Sequence, residues 1–206
     1  ADLQGYIDRD EVQIMGVYNA VERCRQNLRG GDCIPSRNDG VSNWSTIASV
    51  AESPLVPGVL WVGTDDGNIQ LSRDGGATWS EVSDNLPGGT TEYYVSRVEA
   101  SHHDPATAFA SIDGHRSGDL APYVYVTRDY GQTWTSISGN LPAYGSVNTI
   151  RQDPKNADLL YVGTDLGVYL STDRGESWAA LGKDLPVTYV HDLVIHPRDD
   201  AIVVAT

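Results

Sequence analysis

The chain has 206 residues, enough for one domain with a sizeable buried core. Its 28 acidic against 14 basic residues leave a net charge of −14, which argues against nucleic acid and anionic membrane surfaces as partners. No run of about 18 apolar residues exists, so no transmembrane helix is expected.

Residues 1–41 stand apart from the rest. Glu11 to Met15 alternates like a strand, and residues 17–28 read as a short helix, because Val17, Val21, Cys24 and Leu28 recur at helical spacing. Cys24 and Cys33 are the two cysteines of the chain; in an oxidising compartment they are expected to pair, and in the cytosol to stay free. No signal peptide is legible, and the opening Ala-Asp-Leu-Gln fits either a mature terminus or an internal cut. Asn43-Trp-Ser45 is a glycosylation sequon.

From residue 42 onward the chain repeats itself. A first repeat, 44–87, predicts strands at 45–50, 59–64, 68–72 and 78–82. A second, 94–142, predicts strands at 94–100, 106–112, 123–127 and 133–137, with extra residues 114–122 between its second and third strands. A third, 146–186, predicts strands at 147–151, 159–164, 167–171 and 177–181. A fourth begins at Tyr189 and adds two strands, 189–195 and 201–206. The third strand of repeat one alternates apolar and polar residues as a half-buried strand does. Four strands per 40–50 residues, roughly, is the size of a propeller blade. The expected fold is therefore all-β: a partial propeller of about three and a half blades, with a short N-terminal helical segment. Natural propellers have about four to eight blades. An arc of this kind exposes strand edges and end faces. Three resolutions stay open: the strand near Glu11 closes the last blade, a partner or second copy covers the ends, or the chain is a piece of a longer protein.

Each of the first three repeats carries one octapeptide between its third and fourth strands: Ser72-Arg-Asp-Gly-Gly-Ala-Thr-Trp79, Thr127-Arg-Asp-Tyr-Gly-Gln-Thr-Trp134 and Ser171-Thr-Asp-Arg-Gly-Glu-Ser-Trp178. Every residue in it has a structural use. Asp74, Asp129 and Asp173 can accept backbone N–H bonds within their own turn, Gly76, Gly131 and Gly175 can take positive φ, and Trp79, Trp134 and Trp178 can staple the hairpin to neighbouring strands. The surrounding text repeats as well. Leu60-Trp-Val-Gly-Thr-Asp-Asp-Gly67 resembles Leu160-Tyr-Val-Gly-Thr-Asp-Leu-Gly167. Asp84-Asn-Leu-Pro87, Gly139-Asn-Leu-Pro142 and Lys183-Asp-Leu-Pro186 follow the octapeptides at one offset.

The octapeptide resembles the Asp-box, or BNR repeat, of sialidases, sortilin-type receptors and xyloglucanase-type glycosidases, and residues 42–206 are most similar to long bacterial sortilin-like chains labelled as glycosyl hydrolases. A photosystem assembly factor is built on a similar repeat. The resemblance implies that octapeptide turns occupy one face of the propeller and that ligands sit on the other, near the axis. There the chain would present Asp65, Asp66, Asp113, His115, Arg116, Asp119 and Asp165, with Glu92, Tyr93, Tyr144 and Tyr189 from the links between blades. Carboxylates mixed with tyrosines suit sugar binding. Asp65 and Asp165 hold equivalent positions and are the candidate catalytic carboxylates, since glycoside hydrolysis needs two flanking the scissile bond. Their repetition also fits plain turn residues. A sialidase site needs an arginine triad, and this face offers Arg116 alone. Adjacent His102 and His103 on a strand would point to opposite faces and chelate poorly, so neither a metal nor a cofactor is expected. The leading expectation is a non-catalytic, extracytoplasmic interaction module, periplasmic or secreted, acting as an accessory subunit on a larger, membrane-bound assembly. The alternatives are a glycan-binding or glycoside-hydrolase-like domain, and a fragment of a longer sortilin-like chain.

Overall fold

The computed structural model describes residues 46–90, 92–182, 186–196, 198–199 and 201–206. The expected strand, helix and Cys24–Cys33 pair of the N-terminal segment, and the sequon at Asn43, lie outside the described residues.

Among the described residues fourteen strands run in order. Blade one holds β1 (Ile47–Glu52), β2 (Leu60–Thr64), β3 (Ile69–Ser72) and β4 (Ser80–Glu81). Blade two holds β5 (Tyr94–Ala100), β6 (Ala108–Asp113), β7 (Tyr123–Thr127) and β8 (Thr135–Ser136). Blade three holds β9 (Val147–Gln152), β10 (Leu160–Thr164), β11 (Gly167–Ser171) and β12 (Ala179–Ala180). A half-blade pairs β13 (Asp192–Ile195) with β14 (Ile202–Ala205). Each full blade is an antiparallel meander in sequential order. The first strands pack against each other from blade to blade and form the inner wall of the arc. The chain is thus all-β, three and a half propeller blades.

The inner strands share one irregularity. In β1, β5 and β9 the register slips by one residue near the start, between Ile47 and Ser49, Val95 and Arg97, and Val147 and Thr149. An extra residue in one strand of a pair is a β-bulge, which bends the strand and re-aims a side chain. The bulged residues are Ala48, Ser96 and Asn148.

The fourth strands are much shorter than the sequence suggests, two residues each. An outermost strand is an edge, and short edges offer little template for stray pairing. β3 departs from expectation in another way: all four of its residues are buried, not alternate ones. Its polar side chains are buried because they have partners. Gln70 donates to Glu81, and the Ser72 hydroxyl donates to Asp74 Oδ1 and accepts from Gly76 N–H, each at 2.8 Å.

The hydrophobic core lies between blades. One cluster joins Trp61, Ile69 and Leu71 of blade one to Val95, Val98 and Trp134 of blade two. A second joins Phe109, Val124 and Ile137 of blade two to Ile150, Leu160 and Trp178 of blade three. A third joins Tyr161 and Val168 to Val190 and Leu193 of the half-blade. The Val-Gly-Thr text on β2 and β10 has its reason here. A Cβ on Gly63 would lie 2.4 Å from Val95 Cγ1, and one on Gly163 2.5 Å from Val190 Cγ1. Only a hydrogen there admits the next blade's valine.

The three octapeptide turns are built alike. In blade one, Asp74 Oδ1 accepts Thr78 N–H at 2.8 Å and Asp74 Oδ2 accepts the Thr78 hydroxyl at 2.6 Å. Asp129 with Thr133, and Asp173 with Ser177, repeat the arrangement. Gly76, Gly131 and Gly175 take φ of 91°, 79° and 92°. The tryptophans, however, do not behave alike. Trp134 and Trp178, 6% and 5% exposed, donate from Nε1 to the preceding blade, at Val82 O (3.0 Å) and Ile137 O (2.8 Å). Trp79 is half-buried and donates to Gly76 O in its own turn.

Asn85 and Asn140, from the Asn-Leu-Pro text, complete each lock. Asn85 Nδ2 donates to Gly131 O at 2.9 Å. Asn140 donates to Trp178 O at 3.0 Å and accepts Trp178 N–H at 2.7 Å. Leu86 and Leu141 beside them are buried.

Candidate functional site

Antiparallel meanders put the second-to-third-strand turns, the bulges and the blade links at one end of the arc, and the octapeptide turns at the other. The first end carries the residues the sequence singles out.

Two of them organise it. The insertion between β6 and β7 forms one short 3-10 turn, His115–Ser117. From it His115 reaches blade three: Nδ1 lies 2.6 Å from Asp113 Oδ1 and Nε2 lies 3.0 Å from Asp165 Oδ2. The next residue, Arg116, reaches the other way, to blade one: Nη1 donates to Asp65 O at 3.4 Å and lies 3.9 Å from its carboxylate, while the guanidinium sits 5.0 Å from the Tyr94 ring centre. One insertion therefore bridges three blades. It is anchored by Asp119, which accepts the Tyr93 hydroxyl (3.1 Å), the Tyr123 hydroxyl (2.7 Å) and Ala121 N–H (3.0 Å). The hydrogen bonds from Tyr123 and Ala121 hold Asp119 below the ordinary carboxylate range, and the same bond pushes the Tyr123 phenol up.

Asp65 and Asp165, equivalent in sequence, have different surroundings. Asp65 Oδ1 accepts Thr46 N–H at 2.8 Å, and burial raises its carboxyl above the ordinary 3.8. Asp165 faces His115 and accepts Asn148 Nδ2 at 3.0 Å. Asn148 also accepts the Tyr189 hydroxyl at 3.2 Å, so the β9 bulge ties Asp165 to the last blade link. Burial pushes the Tyr189 phenol up, with Asp165 adding to the effect.

Asp66 is turned inward. It is 1% exposed, and its Oδ1 accepts the Thr64 hydroxyl and Asn68 Nδ2. Glu92 is exposed on the first link. Tyr144 is 75% exposed and Tyr189 41% exposed, the latter against His191 with ring centres 4.4 Å apart. The Tyr144 link is pinned over the insertion by Gly145 N–H donating to Leu120 O at 2.9 Å. It runs beside the exposed Leu166. The face thus offers apolar rings next to a carboxylate–imidazole–carboxylate line.

Asn148 escaped the sequence reading. A polar residue between apolar Val147 and Ile150 was the signal, but Asn148 is buried, and its reach to Asp165 and Tyr189 depends on a one-residue slip that no periodicity encodes. The axis was missed too. Arg151 donates to Glu99 (2.8 Å), Asp192 (3.0 Å) and Leu193 O (2.8 Å), and Arg97 pairs with Asp192 at 2.6 Å. Burial alone would raise Asp192, but Arg97 and Arg151 outweigh it and hold the group low. His103 is committed to structure, its Nε2 donating to Asp153 O at 2.9 Å. No grouping of three or more metal-ligating side chains occurs among the described residues.

No protein-family model matches the chain. A xyloglucanase from Hypocrea jecorina is 30% identical over 200 residues, covering 77% of this chain and 24% of its own length. Vacuolar protein sorting/targeting protein 10 from Sordaria macrospora is 38% identical over 73 residues, 35% of this chain and 4% of its own length. The chain thus spans a quarter or less of the length of these relatives. Among solved structures, YCF48 bound to D1 peptide matches with a TM-score of 0.56 at 20% identity, over 74% of this chain and 46% of that one. That likeness shows the propeller fold. No helix among the described residues is long and apolar enough to cross a membrane.

Proposed function

We propose that these blades belong to a carbohydrate-binding propeller of the glycoside-hydrolase kind, working outside the cytoplasm, and that the face with the blade links is its glycan surface. The octapeptide turns are then Asp-boxes. Residues 42–206 are the propeller part, and residues 1–41 are an appended segment clipped by Cys24 and Cys33. One observation carries the reading: the Asp113–His115–Asp165 line shares its end of the arc with exposed Tyr144 and Tyr189, the latter tied through Asn148 to Asp165, so rings that can stack on a pyranose stand at the same end as groups that can bond its hydroxyls. The xyloglucanase similarity supports it and weighs it above the non-catalytic module.

Within that face Asp65 and Asp165 are the carboxylates to test for catalysis. Burial moves Asp65 in the direction a proton donor needs. The experiment is calorimetric titration of the 206-residue chain with xyloglucan oligosaccharides, with a hydrolysis screen beside it. Binding that Tyr144→Ala removes supports the reading; a folded protein blank in both assays refutes it. Asp65→Asn and Asp165→Asn then separate binding from turnover.

The sequence-led alternative, an accessory module docking on a protein partner, draws support from the likeness to YCF48 bound to D1 peptide. A stoichiometric partner in native purification, with no glycan binding, would favour it.

A further inference from the structure

The opposite end of the arc holds a crevice of about 210 Å³ between blades two and three. Blade two lines it with Arg128, Asp104 and Thr107 above Phe109 and Val126, and blade three with Arg174. We infer that this crevice binds a small carboxylate, held between the guanidinium groups of Arg128 and Arg174.

Arg128 is the second residue of its octapeptide and Arg174 the fourth residue of the next. At the preceding interface the same two positions are Arg73 and Tyr130, and there the guanidinium lies over the ring at 4.1 Å, a cation–π contact. Between blades two and three the aromatic partner is replaced by a second cation. Like charges at one crevice repel unless something negative lies between them. Asp158 holds Arg174 at Nε, 2.5 Å away, leaving its terminal nitrogens available. Asp104 offsets part of the charge, but its oxygens already accept Ala106 N–H and the Thr107 hydroxyl. Arg128 has no ion pair among the described residues.

The left-handed backbone at this position belongs to the turn: Arg174 sits at φ 63°, Tyr130 at 59° and Gly75 at 75°. Guanidinium forks match carboxylates in shape as well as charge, and a strongly acidic chain gains a local cationic spot only by placing arginines together.

The test is titration of the full chain with D-glucuronate and with butanoate, using glucose as the neutral control. A stronger response to glucuronate identifies a sugar acid, a stronger response to butanoate an aliphatic acid, and either supports a carboxylate site. Arg174→Gly keeps the fold, because glycine adopts this φ, and Arg128→Gln keeps polarity. Each should weaken binding about 10-fold or more, and added salt should weaken it further. If neither carboxylate binds, or if both variants bind as wild type, the inference falls.

Discussion

The locks between blades make a sharp prediction about three tryptophans in one motif. Replace each with phenylalanine. At Trp134 the change deletes the Nε1 donor to Val82 O, 3.0 Å away in the preceding blade. Val82 O keeps a weak bond from Asn85 N–H at 3.4 Å, so the loss is about 1 kcal/mol rather than the full cost of a bare buried carbonyl. Shrinking a ring that is 6% exposed adds about 1 kcal/mol of lost burial. The edge-to-face contact with Trp61, at 6.2 Å, weakens too, for about 0.5 kcal/mol. Trp134→Phe should therefore cost about 2–3 kcal/mol, and Trp178→Phe about as much. Trp79→Phe should cost under about 1 kcal/mol, since Trp79 bonds within its own turn and is half solvated. In urea, with a slope of about 2 kcal/mol per molar, the midpoint should fall by about 1 M for the first two and much less for the third. Equal losses at Trp79 and Trp134 would refute the claim that these rings act between blades.

Other expectations follow from the same geometry. Gly63→Ala should destabilise by about 1–3 kcal/mol through the 2.4 Å approach to Val95 Cγ1, and Val95→Ala should restore part of it in a double-mutant cycle. Hydrogen bonds from Thr78 and Ser177 hold Asp74 and Asp173 at about 2, and Asp129 is likewise lowered. Their folded-state values lie below the unfolded one, so their contribution is present above about pH 4 and is lost as pH falls toward 2. Acid titration followed by tryptophan fluorescence should show that loss, and Asp74→Asn should reduce its slope. Glu81 behaves oppositely: burial pushes it up to about 7, so its contribution fades as pH rises from about 4.5 to 7, and Glu81→Gln should flatten stability across that window in urea melts. Tyr144→Ala should abolish oligosaccharide binding without moving the urea midpoint, because the ring is exposed.

The octapeptides and the Val-Gly-Thr text made the blades legible because each rests on a local requirement, a turn that closes or a glycine that admits a valine. Strand centres followed from them, while β4, β8 and β12 came out short because an edge strand needs only two pairs before its chain turns to the lock. The Asn-Leu-Pro offset was visible, yet its use was not, since Asn85 and Asn140 reach about forty residues ahead, to Gly131 and Trp178. The end of the arc that carries the blade links was legible as a set of residues and opaque as an arrangement. Asp65 and Asp165 read as equals, and the insertion, with His115 turned one way and Arg116 the other, distinguishes them together with Asn148, whose place in blade one is taken by Ala48. Asn148 depended on a register slip, and Asp66 read as exposed because turn residues usually are.

The lock also has a direction. Val82 offers its carbonyl forward to Trp134, and Gly131 leaves the space that receives its side chain; Ile137 does the same with Trp178 and Gly175 one step later. The piece that can be copied, exchanged or lost without breaking a contact is therefore not the four-stranded sheet that the eye picks out. It runs from the end of one octapeptide to the end of the next, carrying a plug, Val82 and Asn85, at its head and the socket that receives it, Gly131 and Trp134, at its tail. Tandem duplication of that interval lengthens the array and leaves every junction satisfied, whereas duplication of a whole sheet cut at its own ends would separate each plug from the socket selected with it.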